Sequence, residues 1–443
     1  MMNPELRRNL WLEITPHRLL AMPVVLGLAF LALSAINREN AIETVSWTAL
    51  AGFGVLTILW GTRLAANSIL DEMADKTWDW QRLSILSPWT MTWGKLFGAT
   101  AFAWYGGLVC LAVFLATAQA TSIASPAKVA LIALLLAVIL QASGIAAALH
   151  VSRKGVPQHR RSVGFLVIIV VLYVVPFVMA QGIESAKPVT WYGMTFDGAN
   201  FSLVSAALFA AWAVTGAWRA MCQGLAVRTT PLLWLLFLLC VSMYSAGFAG
   251  IGSGFSALHA ILLSLMLWSL GLTYMMLFTE PTSPVVVRRV MRKLDLKQWR
   301  RAAEEVPCWP LTWLVAAGSA IAFALLGAGA EPSTFLREWA STPIPLTLLV
   351  ARDAGLLMLF LAAPSPKRAE ATTLVYMLVL YWVLPGLLYA VDLAVVANLV
   401  LPLGSGNTWL QIPVALAQAV VVWWFAWQRV GQRLSSTRRA DGG

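Results

Sequence analysis

Lys76-Thr-Trp-Asp-Trp-Gln-Arg-Leu-Ser-Ile-Leu-Ser-Pro-Trp-Thr-Met-Thr-Trp93 is a polar, aromatic-flecked stretch that leads directly into an apolar run. It has an echo in Lys297-Gln-Trp-Arg-Arg-Ala-Ala-Glu-Glu-Val-Pro-Cys-Trp-Pro-Leu-Thr-Trp313. With one gap, Trp80 falls on Trp299, Arg82 on Arg301, Trp89 on Trp309, Thr92 on Thr312 and Trp93 on Trp313. The repetition of such a unit after six apolar runs reads as an internal duplication, and the rest of the chain can be ordered around it.

Of the 443 residues 59% are hydrophobic and only 12% charged, whereas a soluble domain carries about 25% charged residues. The apolar runs are about 16 to 24 residues long, and a helix needs about 20 to cross about 30 Å of hydrocarbon. The alternating pattern of a membrane barrel strand is absent. The composition therefore predicts an all-α polytopic membrane protein. Spans are expected at Leu19–Ile36, Val45–Trp60, Leu96–Thr117, Pro126–Leu149, Val163–Ala180 and Phe201–Trp218, then at Pro231–Ala249, Phe255–Phe278, Leu311–Leu326, Pro343–Ala363, Thr372–Val391 and Trp409–Trp427.

A net charge of +11 can mark a nucleic-acid binder, but here the basic residues sit in short blocks between apolar runs, which argues against nucleic acid. With both termini in the cytoplasm, Arg38, Lys128, Lys187 and Arg337 fall in outward segments, Arg352 lies inside a span, and all the other Lys and Arg residues face inward. The positive-inside rule selects that orientation. Most of the 22 tryptophans lie near run ends, where the amphipathic ring anchors at headgroups. The first run is long enough to span, so it reads as an uncleaved helix, with cleavage after Ala32-Leu-Ser34 as the alternative. Cys110, Cys222, Cys240 and Cys308 share no metal-like spacing and read as small apolar residues.

A second pair of landmarks carries a similar offset. Arg7–Pro16 precedes the first span and Arg219–Pro231 the seventh; both are basic, partly amphipathic and end in Thr-Pro, with proline suited to a first helical turn. The expected organisation is two tandem six-helix halves, residues 1–218 and 219–443. Each half is an interfacial helix, two spans, a long cytoplasmic excursion (61–95 and 279–310) and four further spans, and the copies run parallel.

In the first excursion Leu70, Met73, Thr77, Trp80 and Leu83 follow one helix face. Asp71, Asp75 and Asp79 form an acidic stripe, Glu72 and Lys76 an i,i+4 pair, and Ser87-Pro88 ends the helix. An acidic face is disfavoured at anionic headgroups, so a basic protein partner is weighed against simple solvation. The second excursion has the opposite sign: Val287, Val290, Met291 and Leu294 beside a dense Arg/Lys face. Contact with the lipid bilayer is its simplest reading.

Arg352 and Asp353 stand mid-way along the tenth run, where charge is costly and points to function. Either arginine folds back onto its neighbour within a straight span, or the run breaks there. Gln141 and Gln418 read as helix–helix glue. Phosphate-loop, zincin and nucleophile-elbow motifs are absent, and no catalytic or metal-binding residue is assigned.

The layout resembles the permease subunits of type-2 ATP-binding-cassette exporters. Their coupling segment between spans two and three runs as an acidic residue, a Gly-Thr or similar, a leucine run, Ser/Thr-Pro, then Gly-Lys. The matching positions are Glu72, Thr77, Leu83, Leu86, Ser87, Pro88, Gly94 and Lys95; the Thr-to-Pro interval is longer than usual and the Pro-to-Lys interval shorter. The resemblance covers the first half by layout and the second only through the repeat. It implies a transporter subunit without its own ATPase site, in a bacterial inner (plasma) membrane. A separate ATP-binding cassette ATPase, two copies of it, would hold ATP and Mg. Asp71, Glu72, Asp75, Asp79, Trp80, Arg82 and Pro88 would dock that partner, with Trp299, Arg300, Arg301 and Pro307 as second-half equivalents and Arg352 and Asp353 as an intramembrane polar site. The rival reading is an ion- or proton-coupled secondary transporter with twelve spans; a membrane-embedded enzyme lacks any recognisable site.

Overall fold

The computed structural model describes residues 3–121, 123, 125–152, 188–227, 229–249, 255–280, 284–326, 342–363, 368–401 and 408–440. The expected fifth span, Val163–Ala180, and the basic block at Arg153, Lys154, Arg160 and Arg161 lie outside the described residues. The chain is an all-α polytopic membrane protein: ten described helices are long and apolar enough to cross a bilayer. Two compact units divide it, one of Met1–Val189 with Thr195–Thr229, the other of Thr190–Met194 with Thr230–Gly443.

In the first unit, α1 (Pro4–Glu13) is capped by Asn3, whose side chain accepts from the Glu5 and Leu6 N–H groups. Helix α2 is Pro16–Ile36, its first turn capped by Thr15. Helix α3 runs from Ala41 to Ala74, far past the expected end at Trp60, and contains a π-helical stretch at Gly54–Trp60. After the short α4 (Trp78–Arg82) and α5 (Pro88–Trp93, capped by Ser87), a π turn at Gly94–Gly98 leads into α6 (Ala101–Thr117). Helices α7 (Pro126–Ser152) and α8 (Gly198–Gly224) are the remaining described helices of the unit. Phe53, Phe114, Ile132 and Leu136 fill one core, and Ile69, Met91, Leu96, Ile145 and Met221 a second. The outward face of α2 stays apolar and open, with Leu20, Val24, Leu28 and Leu31 exposed, as a lipid-facing helix requires.

Residues 219–224, expected to start a separate interfacial helix, instead continue α8 without a break. That helix ends where Ala226 turns left-handed. Once α8 is long enough to carry Arg219 beyond the apolar run, a second interfacial helix has no chain left to form it.

The second unit contains α9 (Leu232–Ala246), α10 (Ala257–Thr279), α11 (Pro284–Asp295), α12 (Trp299–Ala303) and α13 (Cys308–Leu326). Then come α14 (Pro343–Leu361), α15 (Ala369–Ala390), α16 (Ala394–Val400) and α17 (Thr408–Ala440). Helix α9 covers the seventh expected span with only 15 residues. Helices α10, α13 and α14 meet around Leu263, Met266, Ala316, Phe323 and Val350. Helix α15 carries its own π stretch, Val379–Val383. A small hairpin, Val189–Trp191 with Met194–Phe196, precedes α8. Tyr192 and Gly193, both at positive φ, make its turn, the conformation that matches strand twist. The Trp191 indole N–H donates to the Tyr244 carbonyl at 2.9 Å and the Tyr192 hydroxyl to that of Met243 at 2.7 Å.

Candidate functional site

The first excursion is two helices, not one. Helix α3 ends in a Schellman turn: Thr77 N–H donates to the Glu72 carbonyl at 2.9 Å and Lys76 N–H to that of Met73 at 3.2 Å, with Lys76 at φ 57°. The expected single apolar face is therefore broken. Leu70 and Met73 pack on the core, but Thr77, Trp80 and Leu83 are exposed, and the buried residue is Trp78. The acidic stripe breaks with it. Asp71 is half-buried on α3, Asp75 is exposed at the helix end, and Asp79 is exposed on α4, 3.6 Å from Arg82.

Glu72 does not pair with Lys76. Its carboxylate accepts from Lys95 Nζ at 2.5 Å and from Arg8 at 3.3 Å. Lys95 is 1% exposed and also lies 3.8 Å from Glu5. A buried ammonium needs such partners, and these tie α1, α3 and the π turn together. The π turn is built for close approach: a Cβ on Gly94 would lie 2.5 Å from Glu5 Cγ, and one on Gly98 2.9 Å from Asn9 Cβ. Asn3 and Asn9 side-chain amides donate to the Thr90 and Gly94 carbonyls at 2.7 and 3.2 Å. Above this platform Glu5, Arg8, Glu72, Thr77, Trp80, Gln81, Ser84 and Leu86 line an open cleft of about 390 Å³. Trp80 is 76%, Leu83 81% and Ile85 fully exposed. Pro88 is the first residue of α5.

The second excursion repeats the backbone. Gln298 N–H donates to the Lys293 carbonyl and Lys297 N–H to that of Leu294, both at 2.9 Å, with Lys297 at φ 55°. A five-residue helix led by tryptophan follows in each case, Trp78–Arg82 and Trp299–Ala303. Backbone geometry therefore pairs Trp299 with Trp78, two residues from the expected Trp80, and moves the gap into the following loop. Side-chain exposure still likens Trp299 to Trp80, since Trp299 is 66% exposed. Arg300 and Arg301 are exposed and Pro307 is half-buried before α13. Thr92 and Thr312 are both fully buried, each bonded to the carbonyl four residues earlier.

Within the second unit, Arg352 and Asp353 lie in the middle of an unbroken α14, 2% and 0% exposed. Arginine folds back on its neighbour: Nε and Nη2 donate to Asp353 Oδ1 at 3.0 and 2.9 Å. Asp353 Oδ2 accepts from the Tyr274 and Tyr381 hydroxyls at 2.6 and 2.7 Å. Arg352 Nη1 donates to Gln418 Oε1 at 2.7 Å, and Gln418 in turn donates to the Leu399 carbonyl at 2.5 Å. The guanidinium also sits 5.1 Å from the centre of the Tyr381 ring. The network joins α10, α14, α15, α16 and α17.

The first unit carries a neutral counterpart. Gln141, fully buried, donates to the Thr57 carbonyl at 2.9 Å and accepts from the Trp104 indole at 3.0 Å. Thr57, like Tyr381, lies in a π stretch, the irregularity that re-aims groups within a helix. The sequence singled out Arg352, Asp353, Gln141 and Gln418; Tyr274 and Tyr381 carry no spacing signal that would have found them.

Comparison with protein-family models, with curated proteins and with solved structures finds no match to this chain.

Proposed function

We propose that the chain is the membrane-spanning permease subunit of an ATP-binding-cassette transporter of the type-2 class, working as an exporter. A separate ATPase, in two copies, binds ATP and Mg and docks on the cytoplasmic coupling segments, the first excursion foremost. The two halves are copies of one ancestral unit, both termini are cytoplasmic, and the setting is a bacterial inner membrane. The observation that carries this reading is the pairing of rigidity and exposure at Asp75–Ile85. Trp80, Leu83 and Ile85 are bare beside exposed Asp75 and Asp79, while Lys95, Glu72, Glu5 and Arg8 hold their base. A force applied to such a segment reaches α3 and α6 without being lost in a loose loop.

The carrier reading draws on the intramembrane charge at Asp353. Both carboxylate oxygens already accept two hydrogen bonds each, and Arg352 matches the charge from the adjoining position. A coupling carboxylate needs room to take up and release its ion, which this arrangement does not leave. The permease reading is therefore the better supported.

The test is affinity purification of the full chain from its native membranes, with nucleotide hydrolysis read in the eluate. Asp75→Lys with Asp79→Lys and Trp80→Ala is expected to lose the co-purifying ATPase while the chain stays folded. Retention of that activity in the triple variant overturns the docking assignment. Uptake into inside-out vesicles that requires ATP after the proton gradient is collapsed supports the permease; uptake driven by the gradient alone overturns it.

A further inference from the structure

We propose that α11 of the second unit, with the turn that follows it, is a docking face for an anionic lipid surface. On a helical projection Val286, Val290, Met291 and Leu294 occupy one side and Arg288, Arg289, Arg292 and Lys293 the other. Among the described residues the apolar side is only partly covered: Val286 and Val290 are half-buried, but Met291 is 45% and Leu294 37% exposed, and Leu296 and Trp299 follow at 59% and 66%. Arg288, Arg289, Arg292, Lys297, Arg300 and Arg301 are exposed as well.

Water would disfavour that apolar stripe, and an apolar core would disfavour those cations. A bilayer boundary with acidic headgroups satisfies both, because acyl chains take the stripe and headgroups the arginines. The arm is also rooted where such a surface would be. Cys308 N–H donates to Glu280 Oε2 at 2.7 Å, which closes the excursion at the ends of the apolar helices α10 and α13. Twelve residues of helix reach about 18 Å from there, enough to lie along headgroups. Lys293 is taken by Glu305 at 2.5 Å, which orients α11 and leaves the three arginines for lipid. An acidic protein could present similar charge; the short reach from two membrane helices and the indole of Trp299 favour lipid.

This inference does not rest on the ATPase reading, and its test omits any ATPase. The full chain is placed in bilayers of phosphatidylcholine alone, or of phosphatidylcholine mixed with phosphatidylglycerol, and amide exchange is followed across 284–299. Phosphatidylglycerol is expected to slow exchange in this stretch by about tenfold or more, leaving α10 unchanged, and added salt is expected to reverse the effect. The Arg288→Gln, Arg289→Gln, Arg292→Gln variant is expected to lose the slowing, and a Lys replacement of all three to keep it. Equal exchange in the two bilayers, or slowing that survives the glutamine variant, overturns the proposal. So does protection that appears only when a soluble protein is added.

Discussion

In the first excursion the turn at Lys76 hangs from a helix whose Ala65 and Ile69 are wholly buried against α7. The turn at Lys297 hangs from α11, whose Met291 and Leu294 remain open. The hydrogen bonds that close the two turns run between matching positions, so local backbone does not set the difference. What differs is what each turn is tied to. The first is held through a buried lysine between two glutamates; the second through a half-exposed Lys293–Glu305 pair and the Glu280 carboxylate, which accepts from the Cys308 N–H. The same backbone turn is thus tightly tied in one unit and carried on an open helix in the other. The neighbours decide which.

The sharpest way to break that contrast is to remove each lysine. Lys95→Met takes the buried cation from Glu5 and Glu72 and leaves them only the half-exposed Arg8, and breaking a buried pair in this way costs about 3–5 kcal/mol. Lys293→Met removes a pair whose side chains are 21% and 28% exposed, and the expected loss is about 1 kcal/mol or less. Thermal unfolding of the purified chain in detergent should separate the two variants clearly. Equal losses would mean that Lys95 is not the tie that makes the first excursion rigid.

A smaller effect is expected at Gly94. A methyl there would lie 2.5 and 2.6 Å from Glu5 Cγ and Cβ, both close to the α1 backbone and unable to swing clear. Gly94→Ala should push α1 off the π turn at about 1–3 kcal/mol, and limited proteolysis should cut within Pro4–Glu13 sooner than in the parent. Gly318, in the apolar stretch of α13, meets nothing within 4 Å, so Gly318→Ala serves as the control and should leave the digestion pattern unchanged.

How far the sequence disclosed this contrast depended on what kind of signal each feature leaves. Apolar runs are long and redundant, so eleven of the twelve expected spans lie on described helices, and only α9 falls short of spanning length. The opposite signs of the two excursions were equally plain, since charge is written directly in the residues. The break at Lys76 was not. Leu70, Met73, Thr77, Trp80 and Leu83 keep helical spacing straight through it, and a lysine at positive φ lacks the glycine that usually announces such a turn. Glu72 looked served by Lys76 four residues on, yet it is drawn to Lys95 by a fold that no local spacing encodes. Within the membrane Arg352 and Asp353 were conspicuous because charge is rare there. Tyr274 and Tyr381 were invisible because tyrosine is ordinary and its partner lies on another helix.

The smallest and most discriminating prediction concerns the two turns themselves. A side chain at φ 57° or 55° crowds the following carbonyl at a cost of about 1–2 kcal/mol, which glycine avoids. Glycine also gives back part of that gain through the freedom of its unfolded chain. Lys76→Gly and Lys297→Gly should therefore each stabilise the chain by about 0.5–1 kcal/mol, read as a rise in the unfolding midpoint. If the backbones are truly equivalent, the two gains should agree within about 0.5 kcal/mol. A gain at Lys297 with a loss at Lys76 would mean that the first lysine's side chain is needed where it stands. The two turns would then share a backbone shape but not what holds it.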